Sequence, residues 1–192
     1  MFQLKTLPKL SIVPKVLVDI SYLAIDNVVD GFQAEDSDAA KTGSPPARIG
    51  QAMHRLLQWG EAGPVNLRAV EREFALNPAD AAHAASMAQR ILHGDGAWAW
   101  RSELLAWQGN EVGLMYQGEM KFLDRLVRRK DTLAWWVLDY KSHSAPLGDA
   151  SLVEQLQTYR EAVRAIYPGD PVRAAFLTAQ GAVVELPYGS NS

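Results

Sequence analysis

Trp135-Trp136-Val137-Leu138-Asp139-Tyr140-Lys141-Ser142 is the stretch whose reading decides the fold. A run of large apolar residues is followed by an acid and a base two positions apart. In a strand successive side chains point to opposite faces, so Asp139 and Lys141 share one face and Leu138 and Tyr140 the other. Both faces are apolar up to Leu138, which predicts a central strand covered on both sides. A carboxylate and an ammonium at its end stand at the rim of a core. They form either a surface ion pair or part of a metal or phosphate site.

Working outward, the preceding segment supplies a second acid. Phe122, Asp124 and Leu126 alternate onto one face of a strand within residues 118–128. Arg128-Arg129-Lys130-Asp131 reads as the hairpin loop that leads into the Trp135 strand. The strands holding Asp124 and Asp139 are therefore expected to be adjacent and antiparallel, so that two carboxylates converge. Further upstream, residues 101–107 carry Glu103 in an early strand, and Gly109-Asn110 is a turn signal before a second run at 112–117. Downstream, residues 149–166 form a helix with Leu152, Leu156, Tyr159 and Val163 inward. Gln155 and Tyr159 are four apart and share a face of it. Residues 172–178 and 182–186 close the chain as two short strands.

The first half is helical. Ile49, Met53, Leu56 and Leu57 give residues 48–59 one buried face, with His54 on its border. Taken alone, His54 reads as a half-buried core histidine. Residues 66–93 read as two more helices, interrupted at Asn77-Pro78, where proline suits a first helical turn. Residues 1–30 suggest a short strand or extended arm, and the polar, proline-ended residues 33–47 a linker. The chain thus divides into an arm and linker at 1–47 and a domain at 48–192.

Composition narrows the chemistry. The 192 residues are 48% hydrophobic and 21% charged, enough for one domain with a core. There are no cysteines, which excludes disulfides, thiolate zinc sites, cysteine nucleophiles and cysteine-held iron–sulfur clusters. A net charge of −3 means that any positive potential for nucleic acid is local or shared with a partner. No run approaches the roughly 20 apolar residues of a membrane span, and no signal-peptide pattern occurs, so a soluble, cytoplasmic protein is expected. Gly-x-Ser-x-Gly, the phosphate-binding glycine loops and a two-histidine zinc helix are all missing. What remains is a hard-cation site of carboxylates and one imidazole, with a lysine beside it.

The order Gly50-x-x-x-His54, Glu103, Asp124-Arg125-Leu126, Asp139-Tyr140-Lys141-Ser142 and Gln155-Leu156-x-x-Tyr159 resembles the PD-(D/E)XK nucleases. The likeness is to the RecB/AddA-type C-terminal nuclease domain of helicase–nuclease proteins (exonuclease V beta-subunit-like), over roughly residues 48–187. It implies an α/β fold, a mixed central β-sheet flanked by helices in a restriction-endonuclease-like core, with an N-terminal helical portion. It implies Asp124 and Asp139 as metal-binding acids, His54 as a further ligand and the Tyr140 backbone carbonyl as another. Lys141 would orient or help deprotonate the attacking water, or stabilise the developing charge, and Glu103 would complete the catalytic set. Gln155, Tyr159 and Arg125 become supporting or DNA-contact residues, with ordinary helix packing the alternative for Tyr159. The implied cofactor is Mg²⁺, with Mn²⁺ as substitute and no iron–sulfur cluster.

The function so implied is a Mg²⁺-dependent deoxyribonuclease, an exonuclease rather than an endonuclease, in recombinational repair or DNA-end degradation. Its partners would be DNA and a helicase domain or subunit, with no membrane. The alternatives are a catalytically silent nuclease-like module that binds DNA or docks protein, and an unrelated α/β protein with a structural Asp139–Lys141 pair. Among the departures from the family, Lys121-Phe122-Leu123 precede Asp124 where a glycine is usual about two residues before. The basic run Arg125, Arg128, Arg129 and Lys130 either holds phosphates near the site or is a solvated hairpin loop.

Overall fold

The computed structural model describes residues 43–187. The expected N-terminal arm, most of the linker and the chain's last residues lie outside them. Helices α1 (Pro45–Trp59), α2 (Pro64–Glu73) and α3 (Pro78–His93) come first. They are followed by β1 (Leu105–Tyr116), β2 (Glu119–Arg129), β3 (Trp135–Lys141), α4 (Ala150–Ile166), β4 (Val172–Thr178) and β5 (Val183–Glu185). The strands lie in sequence order in one five-stranded sheet, with β3 and β4 parallel and the other neighbours antiparallel. Helix α4 makes the crossover that a parallel pair requires. This is the mixed α/β architecture that the sequence implied.

Local chemistry explains the element ends. Proline opens each of α1, α2 and α3, where its missing N–H costs nothing. Asn77 caps α3 by accepting from the Asp80 N–H, and Asp149 caps α4 by accepting from the Ser151 and Leu152 N–H groups. Gly60 ends α1 in the left-handed conformation, at φ 69°.

Strand β3 is buried from Trp135 to Tyr140. Trp136, Leu138 and Tyr140 join the core under α1–α3, while Trp135 and Val137 join the core under α4. Met53, Leu56 and Leu57 of α1 have no solvent exposure, and burial of each such side chain contributes about 1.5–3 kcal/mol. That packing fixes the helix carrying His54 against the sheet.

Three expectations are corrected. Gly109-Asn110 is no turn, because β1 runs straight through it. A Cβ on Gly109 would stand 2.7 Å from the Trp107 ring and 2.8 Å from Val112, so glycine serves close packing there. The hairpin turns instead at Gln117-Gly118, with φ of 52° and 82°, the two positive values of a tight two-residue loop. Arg128 and Arg129 belong to β2, and the next turn begins at Lys130. Glu103 lies in a 3₁₀ turn, Ser102–Leu104, and not in a strand.

The register sets up the site. Strand β2 pairs with β3 only from Arg125↔Leu138 to Arg128↔Trp135, whereas its pairing with β1 continues to Tyr116↔Glu119. From Asp124 back to Glu119 β2 has parted from β3, and the β1–β2 hairpin projects past the end of β3 as a two-stranded arm. The result is a fork between β2 and β3.

Candidate active site

The N–H and C=O of one strand residue point to the same side, and those of the next residue to the other. The Lys141 carbonyl points to the β4 side, where it accepts from the Ala179 N–H at 2.8 Å. Tyr140 therefore directs its backbone groups into the fork, where β2 no longer supplies a ladder partner. Asp124 fills that role with its side chain: the Tyr140 N–H donates to Asp124 Oδ2 at 2.8 Å. The Tyr140 carbonyl is 3.2 Å from His54 Nε2, and His54 Nδ1 is 3.5 Å from Asp124 Oδ1. Both ring nitrogens thus face acceptors, an arrangement that a protonated imidazole satisfies.

The electrostatics agree. Burial works against a charged His54, but the Asp124 hydrogen bond and the charges of Asp124 and Asp139 outweigh it, and its pKa is raised. Burial also works against an ionised Asp124. The His54 hydrogen bond and charge and the Tyr140 N–H prevail there, so its pKa is lowered. Asp139 goes the other way: burial first, then the charge of Asp124, push its carboxyl up. Lys141 Nζ, 2.7 Å from Asp139 Oδ2, offsets that only in part. Two neighbouring carboxylates with opposed pKa shifts mark a place that a cation would relieve.

The structure brings together His54, Asp124, Asp139, Tyr140 and Lys141. It does not bring Glu103 to them. Glu103 precedes Leu105, which pairs with Arg129 at the opposite end of β2, and its side is exposed while its carbonyl accepts from Lys130 Nζ at 3.0 Å. The acid in register with Asp124 is Glu111, between the pairs Asn110↔Arg125 and Val112↔Leu123. Gln58 of α1 donates to its Oε1 at 2.5 Å. After burial and Asp124, its charge also helps to hold the Tyr140 phenol un-ionised. Reading a turn at Gly109-Asn110 conceals this register, and no local motif marks Glu111.

Arg125 is engaged inside the protein. It is 2% exposed, and it donates to the Ala99 carbonyl at 3.1 and 2.6 Å, to Gln108 Oε1 at 2.7 Å and to Asn110 Oδ1. Its guanidinium also lies 4.8 Å from the centre of the Trp100 ring. The rest of the basic run is remote and engaged. Arg128 pairs with Asp170 at 2.9 Å and Arg129 with Asp131 at 2.6 Å. Both stand near the start of β3, about 13 Å along the strand from Asp139 at 3.3 Å per residue. Gln155 donates to the Tyr159 hydroxyl at 2.8 Å. The pair lines an open groove of about 310 Å³ between β2 and α4, with Lys121, Ser151, Glu154 and Thr158.

Among the described residues, no three or more His, Cys, Asp or Glu side chains are already gathered as a metal cage. The donors at the fork are two carboxylates, a backbone carbonyl and one imidazole. That oxygen-rich partial set fits a hard divalent cation that keeps several of its waters. Among the described residues no helix is long and apolar enough to cross a membrane.

Comparison with known families points to the same chemistry. The family model described as the PD-(D/E)XK nuclease superfamily matches residues 28–188. No curated protein matches the chain.

Proposed function

Because the chain belongs to the PD-(D/E)XK nuclease superfamily, we propose that it is a Mg²⁺-dependent deoxyribonuclease centred on the fork between β2 and β3. The observation that carries the proposal is the convergence of Asp124 and Asp139 around the Tyr140 backbone, with Lys141 on the Asp139 carboxylate. Asp124, Asp139, the Tyr140 carbonyl and His54 would hold the metal. When bound, the cation lowers the pKa of a coordinated water and neutralises charge on the scissile phosphate. Asp124 is oriented for this by the Tyr140 N–H and by His54. Lys141 places a positive charge where the attacking water is aligned and where charge develops. Glu111 takes the supporting place that the sequence assigned to Glu103.

The RecB/AddA-like motif order supports the finer reading. On it, the protein is an exonuclease of recombinational repair or DNA-end degradation, cytoplasmic, working with a helicase domain or subunit. Residues 1–47 would then be an arm and linker to a nuclease domain at 48–192. One observation favours a second reading: each acid already faces a cationic partner, Asp124 the His54 ring and Asp139 the Lys141 ammonium, although Asp139 Oδ2 lacks a hydrogen bond of good geometry. A catalytically silent DNA-binding or docking module would look like this too. Incubation of end-labelled single- and double-stranded DNA with Mg²⁺, Mn²⁺ or EDTA separates them. Mononucleotides released only with metal support the exonuclease, internal cuts an endonuclease, and intact DNA under all three conditions the silent module.

The site also sets a pH dependence. Metal must displace the proton on His54 and needs Asp139 ionised, and both pKa values are raised. Proton and metal compete, so Mn²⁺ affinity is expected to rise continuously from roughly pH 6 to 8. A calorimetric titration with a flat profile over that range would remove His54 from the ligand set.

A further inference from the structure

The β1–β2 arm has two unlike faces. Val112, Leu114 and Leu123 are buried in the core under α4. The other face carries Phe122 at 55% exposure, Met115 at 49% and Met120 at 41%. Met115 and Met120 are cross-strand partners, and Phe122 pairs with Gly113, which has no side chain to cover it. These three side chains therefore form one apolar ledge, with the aromatic ring nearest the fork. Phe122 is two residues from Asp124 on β2, about 6.6 Å along the strand. The ledge is continuous with the proposed metal centre.

We propose that Phe122, with Met115 and Met120, is a stacking ledge for an unpaired nucleobase of the strand whose phosphate lies at Asp124 and Asp139. The proposal rests on the nuclease reading of that site and names its substrate as single-stranded DNA or a frayed end. The chemistry selects the occupant. Phe122, Met115 and Met120 carry no charge with which to hold a phosphate, whereas every base has a π-face that an aromatic ring can meet. A base inside a duplex has both faces already stacked. The ledge thus discriminates by strandedness and not by sequence.

The test is binding of a fluorescent oligo(dT) and of an abasic oligonucleotide of equal length, in EDTA so that no strand is cut. Wild type is expected to bind oligo(dT) about tenfold more tightly than the abasic strand, on the scale of one stacked base. Phe122→Ala should lose that preference while binding the abasic strand as wild type does. Phe122→Trp should restore it, and Phe122→Leu, equally apolar but without a π-face, should not. An unchanged melting temperature excludes misfolding as the cause, since the side chain is exposed. Equal binding of the two strands by wild type, or an intact preference in Phe122→Ala, overturns the ledge. So does a dimer that Phe122→Ala converts to monomers, which would assign the face to a second copy of the chain. Metal-dependent cleavage is scored separately: if it persists while the preference is absent, the ledge fails and the nuclease reading stands. If metal-dependent cleavage is absent while the preference holds, it is the nuclease reading that fails.

Discussion

Replacing Lys141 with alanine is expected to reduce DNA cleavage by about 10²–10³-fold, the scale for removing one charge-stabilising donor from an active site. The same change should leave Mn²⁺ affinity at about pH 8 unchanged or tighter. Lys141 Nζ stands 2.7 Å from Asp139 Oδ2, so in the metal-free protein the ammonium holds a carboxylate oxygen that a cation needs. Removing it frees that oxygen and removes a like charge from beside the metal. Its charge also lowers the Asp139 pKa, so the variant's carboxyl is protonated at higher pH, and the titration belongs on the alkaline side. Loss of both cleavage and metal binding would make Lys141 an organiser of the Asp139 carboxylate. Retention of cleavage would remove it from the chemistry.

Arg125→Ala is expected to act on stability. The guanidinium is buried, and its loss strands the Ala99 carbonyl and the side-chain oxygens of Gln108 and Asn110. A buried acceptor left without a donor costs about 1–3 kcal/mol. Gln108 and Asn110 are exposed and can turn to water, so the variant should lose about 1–3 kcal/mol, chiefly from the buried Ala99 carbonyl. For a chain of this size that corresponds to a fall of about 2–12 °C in Tm. Calorimetry or circular dichroism reads it directly. A variant that melts like wild type but binds DNA more weakly would restore Arg125 as a phosphate contact.

Arg125 also illustrates how far the sequence could be read. The acids were legible because the chemistry sits on strands. The double-faced apolar run of Trp135–Leu138 identified β3 as central, and alternation placed Asp124 on its antiparallel neighbour. His54 became legible only through motif order, since its position on the border of a helix face fits an ordinary core histidine equally well. The side of β2 on which Arg125 lies was not legible. Asp124 sits where β2 leaves β3 and Glu111 opposite has φ 48°. Alternation that holds on each side of such a kink does not carry across it.

Strand length was a second blind spot. Glycine followed by asparagine ordinarily signals a tight turn, but at Gly109 the packing of Trp107 and Val112 explains the glycine. The actual turn uses Gln117 at positive φ, a residue with no turn signature. Misplacing that turn shifted β1 against β2, which hid Glu111 and left Glu103 as the apparent third acid. The basic run failed for a related reason. Composition reveals that Arg128, Arg129 and Lys130 are clustered, but only the register reveals that they lie at the other end of the sheet from Asp139.

On the proposed mechanism a divalent cation held at Asp124 and Asp139 would drive phosphodiester cleavage. Asp139→Ala tests it most directly, assayed on end-labelled DNA with saturating Mg²⁺ beside a thermal melt. Burial and Asp124 already disfavour the Asp139 charge, so the fold does not depend on it. The expected result is a melting temperature equal to wild type or higher, with cleavage reduced by about 10³-fold or more. A variant that folds as wild type does and still cuts DNA at the wild-type rate would contradict it.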